Sequence, residues 1–491
     1  MTTIAFDQPG RPPATPADAV SDTAHLTHRS ANRRVLIYPV NRTEAWWSFI
    51  GRHLGWGESA VVSDIRGKGD FCVVDDFYRE LKRLRRQREP SSDLFMPEQV
   101  ADIIARCRLL RWLEPRLAKA MVHAMAIAMD AVLERFDPRV VLSFPIDRYV
   151  SDVLERRAHA RGIMYLELTA SVVPRMSMLL SRGALLQVAT LPEPEQVQAT
   201  VREVANPTFV PSYVQMKSKY TKAKFVRTLG YFRARAVAFK LISWAKRDPL
   251  NLHYLDAQPF LGHKCRWRDI RVVDLCDAGW RAKADAFPRE RRVMFGLQLF
   301  PEASIDYWLR NVELIDHENL VVDAARSFSG QGFVVLVKDH PSQFGFRQTG
   351  FLDRLLALPN VVMVPYDVSG NELLALSGTS FTCTGTLGLQ AALAGLTSVV
   401  TESYYAAEPD FVMLRERQDV IDIAARAREH RFADPVETRR ERIIAHLLRG
   451  SFEADFFSFQ RFDASQPAAG ALALAHALGQ RLDQLVHEGQ L

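Results

Sequence analysis

Short apolar runs alternate along this chain with longer stretches in which apolar positions return every three to four residues. The first kind reads as a strand buried on both faces and the second as an amphipathic helix. Arg34-Val35-Leu36-Ile37-Tyr38-Pro39 opens the series. A helix carrying Trp46, Trp47 and Phe49 follows, and Ser59-Ala60-Val61-Val62-Ser63 is the next strand. Helices are predicted over Asp75 to Arg88 and Pro97 to Arg135. Val140-Val141-Leu142-Ser143-Phe144 is a further buried strand, ending in Pro145-Ile146-Asp147-Arg148-Tyr149 before a helix from Val150 to Arg161. Gly162 stops that helix, and Met164-Tyr165-Leu166-Glu167-Leu168 is another strand. Strands and helices in alternation predict a parallel, doubly wound domain.

The pattern changes between Glu195 and Glu290. Lys217 to Arg247 holds ten basic residues and no acidic one, with Phe225, Leu229, Phe232, Val237, Leu241 and Trp244 interleaved at helical spacing. One or two basic amphipathic helices are predicted there. A second α/β run begins at Val293-Met294-Phe295-Gly296-Leu297. It continues through a helix from Ile315 to Gly330 and the strands Val334–Val337, Val361–Val364, Thr382 and Val399-Val400; the chain after Asp410 is mostly helical. The expected fold class is therefore α/β, with two Rossmann-like doubly wound domains facing each other across a cleft and a helical insertion between them. The expected boundaries are a disordered tail over 1–33, an N-terminal Rossmann-like domain over 34–195, a basic helical insertion over 196–290, a C-terminal Rossmann-like domain over 291–420, and closing helices over 421–491.

At 491 residues the chain exceeds what one hydrophobic core usually organises. Its 48% hydrophobic and 24% charged content fit a globular enzyme, and a formal charge of +6 favours anionic ligands only weakly. The cysteines, Cys72, Cys107, Cys265, Cys276 and Cys383, are scattered and form no C-x-x-C. Neither a disulfide framework nor a zinc site is expected, and the compartment reads as reducing. The polar stretch before Arg34 lacks the apolar centre of a signal peptide, and no apolar run approaches the ~18 residues of a membrane span. The expected location is cytoplasmic, with peripheral contact to the inner membrane through Lys217–Arg247. That run also reads as a plain solvated helix face; no recognised nucleic-acid module accompanies it, so no nucleic-acid partner is expected.

The candidate chemistry concentrates at strand ends of the second half. Val334-Val335-Leu336-Val337-Lys338-Asp339-His340-Pro341 is an apolar strand ending in a cation and an imidazole. Pro341 forces His340 toward extended backbone, and alternation puts Lys338 on the same side as His340. Phe381-Thr382-Cys383-Thr384-Gly385-Thr386-Leu387-Gly388 is a strand running into a helix. Gly385 lets backbone approach an anion there, and Thr384 and Thr386 offer hydroxyls at a helix start. Gln298 and Glu302, in Gln298-Leu299-Phe300-Pro301-Glu302-Ala303-Ser304, follow the first strand of this half; Glu302 is a candidate base or hydroxyl ligand at the cleft mouth. Asp147 and Arg148 face the acceptor side from the first half. Each also has a structural explanation: a helix start at Pro301-Glu302, a turn proline after His340, a tight strand–helix turn at Gly385, a salt-bridged helix start at Asp147-Arg148.

In this order, Gln298…Pro301-Glu302-Ala303-Ser304, Lys338-Asp339-His340-Pro341 and Thr384-Gly385-Thr386-Leu387-Gly388 resemble the capsule polysaccharide biosynthesis glycosyltransferases, similar to the Kdo-transferring enzymes of capsule assembly. The resemblance covers Val293 to Tyr405, with weaker support from Asp147-Arg148-Tyr149. It implies a GT-B architecture with the donor on the C-terminal domain, a nucleotide-sugar donor (often CMP-linked) as substrate, and neither a cofactor nor a catalytic metal. It further implies that Gln298 and Glu302 lie near the reacting sugar, and that His340, Lys338, Thr384, Gly385 and Thr386 lie at the donor phosphate. Gln390 departs from the pattern, which usually places Glu there. The expected activity is sugar transfer onto a surface polysaccharide or its lipid-linked precursor, a glycan or glycolipid acceptor. The alternatives are a polyol-phosphate transferase or epimerase on the same architecture, and a non-catalytic assembly or export partner.

Overall fold

The computed structural model describes residues 33–40, 43–211, 220–245, 265–300, 302–466 and 469–491. The tail expected over 1–33 lies, except for Arg33, outside them, as do Pro301 and the outer ends of the basic run, 217–219 and 246–247.

The apolar runs of the first half form strands β1 (Val35–Tyr38), β2 (Ser59–Ser63), β3 (Phe71–Cys72), β4 (Val140–Ser143), β5 (Met164–Ala170), β6 (Met176–Ser181) and β7 (Ala184–Leu185). Those of the second half form β8 (Arg292–Gly296), β9 (Val334–Lys338), β10 (Val361–Met363), β11 (Thr379–Phe381), β12 (Thr397–Val400) and β13 (Val412–Met413). In the second sheet the order is β10-β9-β8-β11-β12-β13 and every pair is parallel. This is the doubly wound order, and it reverses between β8 and β11. The first sheet runs β3-β2-β1-β4-β5 in parallel, reverses between β1 and β4, and then adds β6 antiparallel. Helices cover both faces, so the central strands are apolar throughout rather than alternating.

The closing segment crosses back. After a helix over Val436–Gly450, strand β14 (Ser451–Glu453) pairs antiparallel with β6. The final helix, Ala469–His487, then packs on the helix Glu44–His53. The approach is so close at Gly479 that a Cβ there would lie 2.0 Å from the Leu54 carbonyl oxygen. In packing, the residues from 451 onward belong to the N-terminal domain.

The helix predicted over Pro97 to Arg135 is two helices, Pro97–Arg106 and Pro115–Phe136, with a short 3-10 turn at Leu110–Trp112 between them. Pro115 has no N–H to give and keeps the residue before it out of the helical region. Glu114 instead caps the new helix, its carboxylate accepting from the N–H groups of Arg116 and Leu117, both at 2.9 Å. The break turns three arginines toward the second domain. The Arg106 guanidinium donates to the carbonyls of Asp306 (3.0 Å), Leu309 (2.7 Å) and Arg310 (2.9 Å). Arg108 lies 2.9 Å from the Asp306 carboxylate, and Arg111 contacts it at 3.7 Å. Beside them Tyr307, a residue of the second half, is fully buried in the hydrophobic core of the first. The turn at Gly183 packs on Trp308. The two domains are therefore pinned at one end by an aromatic plug ringed with arginine.

Replacing Tyr307 with Ala should cost ~3–5 kcal/mol, the range for emptying a buried aromatic site. Because the plug joins two cores, the urea unfolding curve should also split into two transitions. Ile421→Ala, at a 70% exposed position, should leave the curve unchanged.

Candidate functional site

Strands β9, β8 and β11 are neighbours, and their carboxyl ends are level. Lys338 pairs with Gly296, and Phe381 pairs with Phe295. Ligands of open α/β sheets sit at such ends, at the point where strand order reverses. Here that point is the gap between β8 and β11, and Gln298 spans it. Its amide nitrogen donates to Thr384 Oγ1 at 2.7 Å, and its amide oxygen accepts from the Thr384 N–H at 2.8 Å. Thr382 Oγ1 adds a bond to the Gly296 carbonyl at 2.9 Å. Gln298 and Thr384 are both buried, so Gln298 positions the Thr384 loop rather than reaching out to a sugar.

The loop leads into the helix Thr386–Leu393. Its N-cap is Gly385, in extended backbone (φ −69°, ψ 142°), with no side chain to cap the first turn. The Gly388 N–H turns back to the Gly385 carbonyl at 3.0 Å, while those of Thr386 and Leu387 have no carbonyl one turn back inside the helix and point with the positive end of its dipole. Glycine is required for space: a Cβ at Gly385 would lie 2.8 Å from Thr382 Oγ1 and 3.3 Å from Gln298 Cγ. The Tyr405 hydroxyl fixes the Gly385 carbonyl at 2.6 Å. The result is a partly exposed helix start whose loop is held by Gln298, Thr382 and Tyr405.

At the end of β9, Asp339 is buried and organises the turn. It accepts from Arg347 Nε at 2.8 Å, from the His340 N–H at 2.8 Å and from the Tyr366 hydroxyl. Arg347, also buried, donates from Nη2 to the Gln298 carbonyl at 2.7 Å. A continuous set of bonds thus runs His340–Asp339–Arg347–Gln298–Thr384. His340 Nδ1 accepts from the Ser342 N–H at 3.1 Å, which leaves the ring proton on Nε2. Burial, first, lowers the His340 pKa, as do the charges of Arg347 and Lys338, while Asp339 opposes them. The ring is a neutral N–H donor near pH 7. Two strand spacings, ~10 Å, separate the ends of β9 and β11.

Lys338 does not share this side. It is buried, its ammonium donates to the Tyr366 carbonyl at 2.7 Å, and burial lowers its pKa to about 8. Strand β9 ends at Lys338, so its alternation does not extend to His340.

Glu302 is the N-cap residue of the short helix Ala303–Asp306. Part of it stays reachable by solvent, yet the packing around its carboxyl pushes its pKa up to about 7. Hydrogen bonds from Ser304 and Gln298 and the charge of Arg108 pull the other way. Arg108 also donates to the Asp147 carbonyl at 3.2 Å. It therefore links the end of β4 in one domain to the region after β8 in the other. Arg148, beside Asp147, is buried and spent on Asp147 (3.2 Å) and Asp64 (3.4 Å). Tyr38 donates to the same Asp64 at 3.0 Å. A separate cavity of about 1140 Å³ opens at the carboxyl end of β5, with Arg175, Phe209, Phe456, Phe457, Arg461 and Gln480 in its wall. Phe209 is tied to the second domain, its carbonyl accepting from Asn371 at 3.2 Å.

Two doubly wound parallel domains whose switch-point loops meet through Arg108 define a GT-B-like α/β architecture. No protein-family model matches the chain, and no curated protein does. Among solved structures it is similar to the KpsC beta Kdo 2,7 transferase of Thermosulfurimonas dismutans (12% identity over 77% of this chain and 97% of that one, TM-score 0.30). It is also similar to the UDP-GlcNAc 2-epimerase of Neisseria meningitidis bound to UDP-GlcNAc (12%, 92% and 100%, TM-score 0.21). A third is the alpha,alpha-trehalose 6-phosphate synthase of Burkholderia multivorans (11%, 94% and 98%, TM-score 0.31). At these identities and TM-scores no residue role is carried over from them; the architecture stands on the strand order itself.

Glu302 binds its proton more tightly folded than unfolded. Its contribution to stability is fully present below its ordinary value of 4.5 and is lost as pH rises through about 7. Glu167, buried and also raised to about 7, adds a decline of the same sign, so the informative comparison is with Glu302→Gln. Wild type should lose stability relative to Glu302→Gln between roughly pH 5 and pH 8, read as urea midpoints. Parallel curves would mean an ordinary carboxylate.

Proposed function

We propose that the chain is a glycosyltransferase, moving a sugar from a nucleotide donor to a glycan or glycolipid acceptor. The observation that carries this is the uncapped helix start at Gly385-Thr386, held open at the switch point and joined to a neutral imidazole N–H by one hydrogen-bond network. That pairing suits a phosphate: N–H groups and a dipole end on one side, a neutral donor on the other. The donor's phosphate would sit against the first turn and the Thr386 hydroxyl, with Thr384 supporting the loop and His340 Nε2–H donating to a phosphate oxygen.

Glu302, with a pKa near working pH, is suited to accept a proton. In the step proposed, the acceptor hydroxyl oxygen bonds to the anomeric carbon and its proton passes to Glu302. The bond from that carbon to the phosphate oxygen breaks, and its electron pair leaves with the nucleotide. The helix start and His340 offset the negative charge that develops there, in place of a metal. Gln298 and Arg108 are positioning residues: one holds Thr384, the other spans the domains beside Glu302. The acceptor would approach past Asp147, with the cavity at the end of β5 giving room for a longer glycan. A CMP-linked donor remains part of this proposal.

The test is a thermal-shift screen of CMP-, CDP- and UDP-linked sugars, followed by product analysis with the donor that stabilises. A true donor at about 100 times its Kd should add ~2.7 kcal/mol of stability. His340→Ala should keep the wild-type melting curve without ligand and lose transfer by about 10²-fold or more, the loss typical of one transition-state donor. Undiminished turnover in folded His340→Ala would remove the phosphate assignment. Nucleotide binding with no product under any donor–acceptor pair would move the chain to the non-catalytic class.

A further inference from the structure

The helix Lys222–Ala245 has two apolar faces, and only one of them is covered. Phe225 and Leu229 are buried in the core of the second domain. The turn at Gly345 packs so closely that a Cβ there would lie 2.9 Å from Thr228, and the Phe346 ring lies 3.8 Å from Phe232. The exposed apolar side chains are Val226, Tyr231, Val237, Leu241, Ile242 and Trp244, from 38% exposed at Ile242 to 78% at Trp244. At 3.6 residues per turn Val226, Val237, Leu241 and Trp244 fall within about 60° of one another, roughly 100° round from Phe225 and Leu229, with Tyr231 and Ile242 about 130° further on. The packed face is near the start of the helix, and the exposed stripe is richest toward its end.

Cations border this stripe. On the same wheel Lys222, Arg233 and Lys240 lie along one edge and Arg227 along the other. The helix has no acidic residue. Lys222 pairs with Asp274 at 2.9 Å and Arg233 donates to the Cys265 carbonyl at 2.8 Å. Arg227 and Lys240 have no ion pair or hydrogen bond among the described residues. Exposed Val, Leu and Trp side chains flanked by cations can lie against a bilayer interface, with the aromatic ring at headgroup depth and the cations on anionic headgroups. No helix among the described residues is long and apolar enough to cross a membrane, so contact through this face would be lateral. A nucleic acid would use the cations and leave the apolar stripe wet. A second copy of this helix would set cationic edge against cationic edge with no carboxylate on the helix to relieve them.

We propose that the exposed face of Lys222–Ala245 docks the protein on an anionic lipid surface. This does not rest on the sugar-transfer reading. The experiment is co-sedimentation of the full chain with vesicles of pure phosphatidylcholine or of phosphatidylcholine and phosphatidylglycerol at 7:3, at low and high salt. Wild type should partition onto the anionic vesicles alone and be released by salt. Arg227→Gln/Lys240→Gln should bind ~30-fold more weakly, from about a factor of five per surface cation. Val237→Ser/Leu241→Ser/Trp244→Ser should lose at least ~10-fold, as buried apolar area is removed, with melting temperature and any nucleotide-induced shift unchanged. Trp244→Phe should remove most of the fluorescence quenching by brominated lipid. Wild type bound to neither vesicle, or the triple serine variant binding like wild type, overturns the proposal. So does a dimer that only the triple variant dissolves, which would give the face to a second copy.

Discussion

The pair of hydrogen bonds between the Gln298 amide and Thr384 is the constraint on which the rest of the site depends. A gap between two parallel strands at a switch point is a place where backbone groups lose their ladder partners. Burying them unpaired would cost of the order of 1–3 kcal/mol each. Gln298 resolves this for Thr384 with a side chain that donates and accepts at once. The loop is then fixed without a side-chain cap on the helix behind it, and the Thr386 and Leu387 N–H groups stay available. Arg347 extends the same frame sideways, holding the Gln298 carbonyl with one nitrogen and Asp339 with another. Through Asp339 the position of His340 becomes a consequence of where Gln298 sits.

Domain placement obeys a comparable logic. The Tyr307 plug buries an aromatic ring of one domain in the core of the other, and Arg106 satisfies three carbonyls around it. Asp306 is fully buried with Arg108 2.9 Å from its carboxylate, and burial still raises its pKa against that charge. A buried pair of this kind gives register more surely than stability. Here the register sets the distance between the end of β4 and Glu302, and Arg108 is the side chain that carries it. Glu302 sits where this ion pair and the Gln298 frame meet, which accounts for a carboxyl held near neutrality by burial and drawn down by its neighbours.

Much of the fold was legible because buried parallel strands advertise themselves as continuous apolar runs. The ends of β8, β9 and β11 could be named from Gly296, Lys338-Asp339-His340 and Thr384-Gly385 alone. What periodicity cannot report is a helix broken by a satisfied cap. Apolar spacing continues across Arg106 to Pro115, and only Pro115 itself signalled the interruption that brings Arg108 to the cleft. Nor can spacing report where a strand stops: Lys338 and His340 alternate correctly, yet the strand ends between them and the ammonium is bonded to the Tyr366 carbonyl. Arg347 had no signal at all, since a lone arginine in a turn reads as solvated. The return of residues 451–491 to the first sheet was hidden because β14 is three residues long, too short for any alternation to show.

The most direct test is an amide-resolved NMR titration of the full chain with nucleoside mono- and diphosphates. Saturable downfield shifts at the Thr386 and Leu387 N–H signals, moving together with His340 Nε2, are the predicted result. Shifts concentrated elsewhere, or an unperturbed Gly385–Gly388 segment at saturating nucleotide, would contradict the account.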